Sequence, residues 1–331
     1  MSNLDLERRV VLHADDFGFN HEITRGIVEG FDAGLLTSTA LLANAPAAAK
    51  ALEDWVSLVE RQRSGRLGSA PARRRLGDDH AAFDLGVHLN LTQGRPLIGR
   101  QFPSELLDAQ GNFLPPGRLL LRLLRYADKC REAVGAELRA QVEFLEARGI
   151  APTHLNGHQY VELMPVVSEL VVELARTLSI AVVRVSREPR HWITSLRPGV
   201  RATNWMLSHT KQFFAQRFAK RIGAAGLRCP AAYFGSSHAG RVDLQVCELF
   251  LRASKGHGIV ELGLHPGLPA AQCEDDRWAV PTLRIWHDPL AALRPAELAL
   301  LKSPSLVETL LRHGCRLGRL SSLAAVRAAA A

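Results

Sequence analysis

The sequence predicts an α/β fold, a distorted (β/α) TIM-like barrel of parallel strands, about seven in number, with one helical insertion. Three observations carry this expectation. Short apolar runs alternate with segments of helical apolar spacing from residue 10 to residue 264, the order that builds parallel βαβ units. No Gly-x-Gly-x-x-Gly and no Walker loop accompanies them, which argues against a nucleotide-binding sheet. The polar residues that end the apolar runs are Asp15 and Asp16, His88, His158 and His265. In a parallel barrel such strand ends converge on one mouth.

The first strand is the run from Val10 into Ala14, closed by Asp15, Asp16, Gly18 and Asn20. Two adjacent carboxylates at the end of a buried strand repel each other and lose hydration. One bound to a cation and the other engaged in proton transfer would make the pair tolerable; a capped strand-to-helix turn is the plainer reading. Ile23, Ile27, Val28 and Phe31 then mark a helix from His21 to Ala33, and Leu36 to Ala43 reads as a second strand. An Ala-rich helix from Ala47 to Glu60 leads into an Arg-, Gly- and Ser-rich stretch, Arg61 to His80, which reads as a loop. Phe83 to Leu91 is the next strand, and Leu97 to Gly117 is turn-rich and long for an inert connection. Val134, Leu138, Val142 and Leu145 mark a helix closed by Gly149. Pro152 to Asn156 reads as a short strand, Pro165 to Leu178 as a helix and Ile180 to Val185 as a strand. From Arg187 to Arg228 the rhythm breaks, and Phe214, Phe218 and Ile222 alternate with Lys211, Arg217, Lys220 and Arg221. Residues 187–228 are therefore read as an insertion near the site. Its apolar stripe is either the inner face of a core helix or an interfacial helix for an amphiphilic substrate. Strands at Tyr233 to Ser236 and Gly258 to Leu264 flank a helix from Val242 to Ala253. A helix from Ser305 to His313 precedes an Ala-rich tail, residues 318–331.

The 331 residues, 47% hydrophobic, suffice for one large domain, and residues 1–331 are read as a single catalytic barrel. No apolar run reaches the 18 residues of a membrane span, and the first residues lack the order of a signal peptide. The five cysteines are scattered without a Cys-x-x-Cys, as expected of reduced thiols in a cytoplasmic protein. The net charge of +8 is concentrated in Arg61–Arg75 and Lys211–Arg228. Without a zinc finger, a helix-turn-helix or an aromatic–basic platform, no nucleic-acid partner is expected. Peripheral membrane contact and a homodimer are both compatible with this composition.

Asp16, His88 and His158, brought together, offer two imidazoles and one carboxylate with open positions for water and substrate. That is the ligand mix of a catalytic divalent-metal site; Zn suits it, and Mg is the alternative. His154 competes with His158, but Pro152 and Gly157 argue against a helix that would pair them. His158 is preferred as the ligand at the mouth, with His154 and His13 inside the barrel.

The segments Ala14-Asp15-Asp16-Phe17-Gly18, Gly34 to Thr39, Gly86 to Thr92 with Gly94-Arg95-Pro96, Pro152 to Leu155 with His158-Gln159, and Leu264-His265-Pro266-Gly267 run in order along most of the chain. Together they resemble the YdjC-like (ChbG/HpnK) carbohydrate deacetylases. The resemblance implies a distorted (β/α) barrel and metal-dependent removal of acetyl from an N-acetylated sugar, an N-acetylglucosamine-type oligosaccharide or a glycolipid, hopanoid-linked ones included. It implies Asp16, His88 and His158 as ligands of one divalent metal ion, Asp15 as base and His265 as acid. The chain departs from the family pattern at Asn156-Gly157, where an Asp-Ser/Thr pair is usual, and at Tyr160, where a further His is usual. Arg95 and Arg184 are the candidates to anchor a sugar or phosphate, with a structural role as the alternative for each. A metal phosphoesterase on a similar barrel needs more ligands than the strand ends carry. A basic binding protein would leave the strand-end His and Asp residues without a role.

Overall fold

The structure, a computed structural model, describes residues 8–67, 70–77, 82–188, 202–269 and 286–325. Its centre is a parallel sheet of β1 (Arg9–Phe17), β2 (Ser38–Leu41), β3 (Asp84–Leu89), β4 (Leu155–Gly157), β5 (Ala232–Phe234), β6 (Ile259–Leu264) and β7 (Arg316–Leu317). The order is β4-β3-β2-β1-β6-β5, with β7 beside the start of β1. The central strands are buried along their length, which is why their sequences read as continuous apolar runs rather than alternating ones. Residues 182–187 close the gap between the edges. Leu155 N–H donates to Val182 O and Arg184 N–H to Leu155 O on the β4 side, and Tyr233 N–H donates to Arg187 O on the β5 side. The distorted barrel expected from the strand–helix alternation is thereby formed.

The helices are α1 (His21–Asp32), α2 (Ala48–Arg63), α3 (Ala70–Arg75), α4 (Pro116–Glu146), α5 (Val167–Thr177), α6 (Ala202–Ala224), α7 (Leu244–Ala253), α8 (Arg294–Leu301), α9 (Pro304–Arg312) and α10 (Ser322–Ala325). α1 starts where Asn20 accepts the Ile23 N–H at 2.8 Å, satisfying an amide the helix itself leaves free. Ile23, Ile27 and Phe31 form its buried face.

Two expectations need correction. The Arg-rich stretch is not all loop: α2 runs to Arg63, residues 70–75 form α3, and Arg73 is buried with its guanidinium 4.4 Å from the Phe83 ring centre. The helix marked by Val134 to Leu145 begins 18 residues before Val134, at Pro116, and bends at Tyr126. The C-terminal segment is packed at its start: Leu320 is fully buried and Ser321 N–H donates to Asp84. Of the proposed insertion, residues 189–201 lie outside the described residues. In α6, Phe218 and Ile222 are buried in the core and Phe214 is half-buried, so that stripe faces inward. Cys130, Cys229, Cys247 and Cys315 are free thiols.

Candidate metal centre

Neighbouring residues on a strand point to opposite faces, so Asp15 and Asp16 would be separated on a regular β1. The β1–β2 register instead shifts between Ala14 and Phe17, and Asp16 adopts a left-handed conformation, φ 69°. Such an irregularity re-aims side chains, and both carboxylates line one cavity of about 200 Å³. His88 from β3 and His158, just past β4, enter the same cavity.

Asp16 Oδ1 lies 3.1 Å from His158 Nδ1 and 3.5 Å from His88 Nε2. These three buried atoms are within 4.8 Å of one another. Tetrahedral ligands about 2.0–2.1 Å from a Zn ion stand about 3.3–3.4 Å apart, so the set suits a small divalent cation. The carboxyl groups of Asp15, Asp16, Glu261 and Asp288 are joined by hydrogen bonds to two guanidinium groups, Arg184 and Arg294.

Neighbouring groups orient the ligands. Asn156 stands beside His88 in register. Its Oδ1 is 2.9 Å from His88 Nδ1, and its amide donates to Asp15 Oδ1 at 3.0 Å. A proton on Nδ1 bonded to Asn156 leaves Nε2 free to bind a cation. Arg294 at the start of α8 donates to Asp16 Oδ2 at 2.7 Å and to Asp288 through Nε at 2.7 Å, leaving Oδ1 toward the histidines.

Burial disfavours charge on both aspartates, but their partners overcome it. Arg184, His88 and His13 hold the Asp15 carboxyl well below the usual range. Arg294 with the His158 and His88 hydrogen bonds does the same for Asp16. Burial lowers the His265 imidazole below its ordinary value, and Asp16 and Asp15 only partly offset that. His265, at the end of β6, places Nε2 3.9 Å from Asp15 Oδ2, and its backbone N–H donates to the Glu297 carboxylate on α8.

The two arginines named as sugar anchors take different places. Arg95 is exposed and bonded to Gln110 O and Asn112 Oδ1 at 3.2 and 3.4 Å, within its own loop. Arg184 is buried in the cavity wall. Its Nη1 reaches both Asp15 oxygens at 2.8 and 2.7 Å, its Nε and Nη2 donate to Glu261, and Nη2 also donates to His13 Nδ1. Arg184 thus holds Asp15 and Glu261 from the cavity wall. His13 and His154 are core residues: fully buried, they share a contact of 2.9 Å between their Nε2 atoms. Burial and then Arg184 lower the His13 imidazole to about 3, so it is neutral and accepts from Arg184. Sequence reasoning missed Arg294, Glu261, Gln93 and Asp288. Gln93, whose side-chain nitrogen is 3.2 Å from His158 Nε2, occurs in a stretch legible only as a strand breaker; the other three carry no local motif.

A model of the family described as YdjC-like protein matches residues 9–312. A human protein named carbohydrate deacetylase is 31% identical over 335 residues, covering 95% of this chain and 91% of its own. A mouse protein of the same name is 32% identical, covering 79% of each chain. A chitooligosaccharide deacetylase from Yersinia enterocolitica is 27% identical over 65% of this chain and 76% of its own. The crystal structure of a putative cellobiose-phosphate cleavage protein from Enterococcus faecalis V583 superposes with a TM-score of 0.63 at 20% identity, over 96% of this chain and 99% of that one, and so shares the fold. With the family model spanning nearly the whole chain and the Asp16, His88 and His158 cluster set at the strand ends of that fold, the chain belongs to the YdjC-like family.

Proposed function

We propose that the protein is a carbohydrate N-deacetylase that hydrolyses the acetamide of an N-acetylglucosamine-type oligosaccharide or glycolipid. The observation that carries this reading is the Asp16, His88 and His158 cluster opening into the same cavity as Asp15 and His265. Those three side chains would hold one divalent cation, Zn or Mg. Such an ion supplies Lewis acidity toward the amide carbonyl and lowers the pKa of a coordinated water.

The chain's own residues account for the remaining chemistry. Phe19, Tyr160, Pro289 and Leu290 line the cavity beside its polar floor, a mixed wall that suits a sugar ring and an acetyl methyl. Asp15, kept ionised by Arg184, is the acceptor for the proton of the attacking water. His265 is neutral at rest and must gain a proton before donating one. Asp15 Oδ2, 3.9 Å away, is placed to pass that proton on, and His265 then delivers it to the leaving nitrogen, without which the amine is a poor leaving group. Among the described residues this cluster is the one group with metal-ligand spacing, which favours a single-ion hydrolase over a multi-metal phosphoesterase.

The test is acetate release from a panel of N-acetylated sugars and glycolipids by metal-loaded protein. Release that stops on chelation and returns with metal is the expected result. A stoichiometrically loaded protein that frees no acetate from any member would overturn the reading.

A further inference from the structure

The longest helix carries a surface that the reaction leaves unused. Near the C-terminal end of α4, the Gln141 side chain bonds both the N–H and the C=O of Asn90, at 2.9 and 2.7 Å. Asn90 directly follows β3, so Gln141 already stands level with the carboxyl ends of the strands. At ~1.5 Å per residue, Tyr126, where α4 bends, lies roughly 22 Å further along, and Leu124 and Leu121 stand beyond that bend. The first half of α4 meets the loop that follows β3, on the side where the cavity opens. Leu119 and Leu123 pack inward, and Lys129 pairs with Glu105 of the loop that follows β3.

The outer face is exposed and, among the described residues, carries no covering element. Leu121 is 68% and Leu124 60% exposed, the two most exposed large apolar side chains among the described residues. Arg118, Arg122 and Arg125 are exposed beside them, and on a helical wheel all five fall within an arc of ~160°. Arg122 and Arg125 lie 5.9 and 5.5 Å from the Tyr126 ring centre, positions that leave their charge toward solvent. Between Pro116 and Lys129, four basic residues stand against a single carboxylate, Asp128.

We propose that the first half of α4 is an interfacial arm that docks the protein on an anionic lipid bilayer. Leu121 and Leu124 enter the headgroup boundary, and Arg118, Arg122 and Arg125 meet lipid phosphates. Charge selects this occupant. A second copy packed two-fold on the same face would set the arginine row against itself, and a nucleic acid would leave the leucines in water. The arm would bring the cavity to a sugar whose aglycone is embedded in the bilayer. That consequence rests on the deacetylase reading; the docking does not.

The experiment is co-sedimentation of the full chain with phosphatidylcholine vesicles, and with vesicles containing about one-third phosphatidylglycerol. Binding to the anionic vesicles that falls as NaCl is raised to about 0.5 M is expected. Leu121→Gln with Leu124→Gln should lower the partition roughly tenfold or more. Arg118→Gln, Arg122→Gln and Arg125→Gln together should lower it on the order of 100-fold, removing the anionic preference. Both variants should keep the wild-type melting temperature and acetate release from a short soluble sugar. Equal binding to both vesicle types, no binding to either, or binding indifferent to the leucine changes would overturn the proposal. So would a wild-type dimer that the leucine changes dissociate, because a second copy would then cover the face. Vesicle binding without acetate release from any substrate would sink the deacetylase reading and leave the docking intact.

Discussion

Asp15 and Asp16 are neighbours in sequence with opposite surroundings. Asp16 divides its oxygens between two histidines and Arg294, while Asp15 has both oxygens on Arg184. Asp15→Asn should therefore retain the bound metal, because none of the three ligands is altered. It should lower kcat by about 10²–10⁴, because an amide cannot take the proton; metal content and turnover measured on one preparation check this. An activity within a few-fold of wild type would move the base elsewhere. Glu162 is a separate case. It is fully buried and its Oε2 has no hydrogen-bond partner among the described residues. A Cβ on Gly157 would come within 2.0 Å of that oxygen, so the glycine makes room for the carboxyl. Burial pushes Glu162 up from 4.5 to about 7, with Arg184 and His88 opposing. The folded protein then keeps a proton that the unfolded chain has released. Its stabilising effect is complete below about pH 4.5 and is lost as pH rises to about 7, a change of roughly 3 kcal/mol. Denaturant titrations across that range should show a flatter profile for Glu162→Gln than for wild type.

The elements reach the cavity through close backbone contacts. Gly26 on α1 meets Gly267, two residues beyond His265, and a Cβ at position 26 would lie 2.5 Å from Gly267 Cα. Backbone cannot yield as a side-chain tip can. Gly26→Ala should cost about 1–3 kcal/mol and displace the His265 segment. Turnover should fall while metal binding, which depends on β1, β3 and the turn after β4, persists; loss of metal with unchanged turnover per bound ion would contradict this. The same scale explains why α4 was only half legible. Its second half spaces apolar residues three and four apart, at Val134, Leu138, Val142 and Leu145. Its first half has leucine at positions 119, 120, 121, 123 and 124, which spread over ~200° of the helix and blur any single narrow stripe. In α6 the stripe was visible, but only packing decided that Phe218 and Ile222 face the core.

For the whole molecule, a cation held at the proposed site would link strands distant in sequence. β1, β3 and the turn after β4 each contribute one side chain to the cluster, and the unfolded chain cannot assemble them. A cation present at about 100 times its dissociation constant should stabilise the fold by about 2.7 kcal/mol, and a chelator should lower the melting temperature. His88→Ala should abolish that response while leaving the circular dichroism of the apo protein unchanged. A metal-dependent melting shift of wild-type size in His88→Ala would locate the cation at other residues. Among the described residues no helix is long and apolar enough to cross a membrane.

The sequence by itself determined the parallel α/β architecture and the polar residues at the strand ends. Both follow from local order: apolar runs alternate with helical spacing, and Asp15, Asp16, His88 and His265 each close or end such a run. Only the tertiary structure decided what surrounds them. Glu261 lies within a strand and reaches Arg184 because β6 pairs with β1 and residues 182–187 close the barrel. Arg294, 278 residues from Asp16, arrives by the packing of α8. Arg184 and Arg95 are alike as sequence. The fold buries the first against two carboxylates and leaves the second in an exposed loop. A charged side chain takes its role from the partners that desolvation forces it to find, and those partners are set by strand order and helix packing, not by neighbours along the chain.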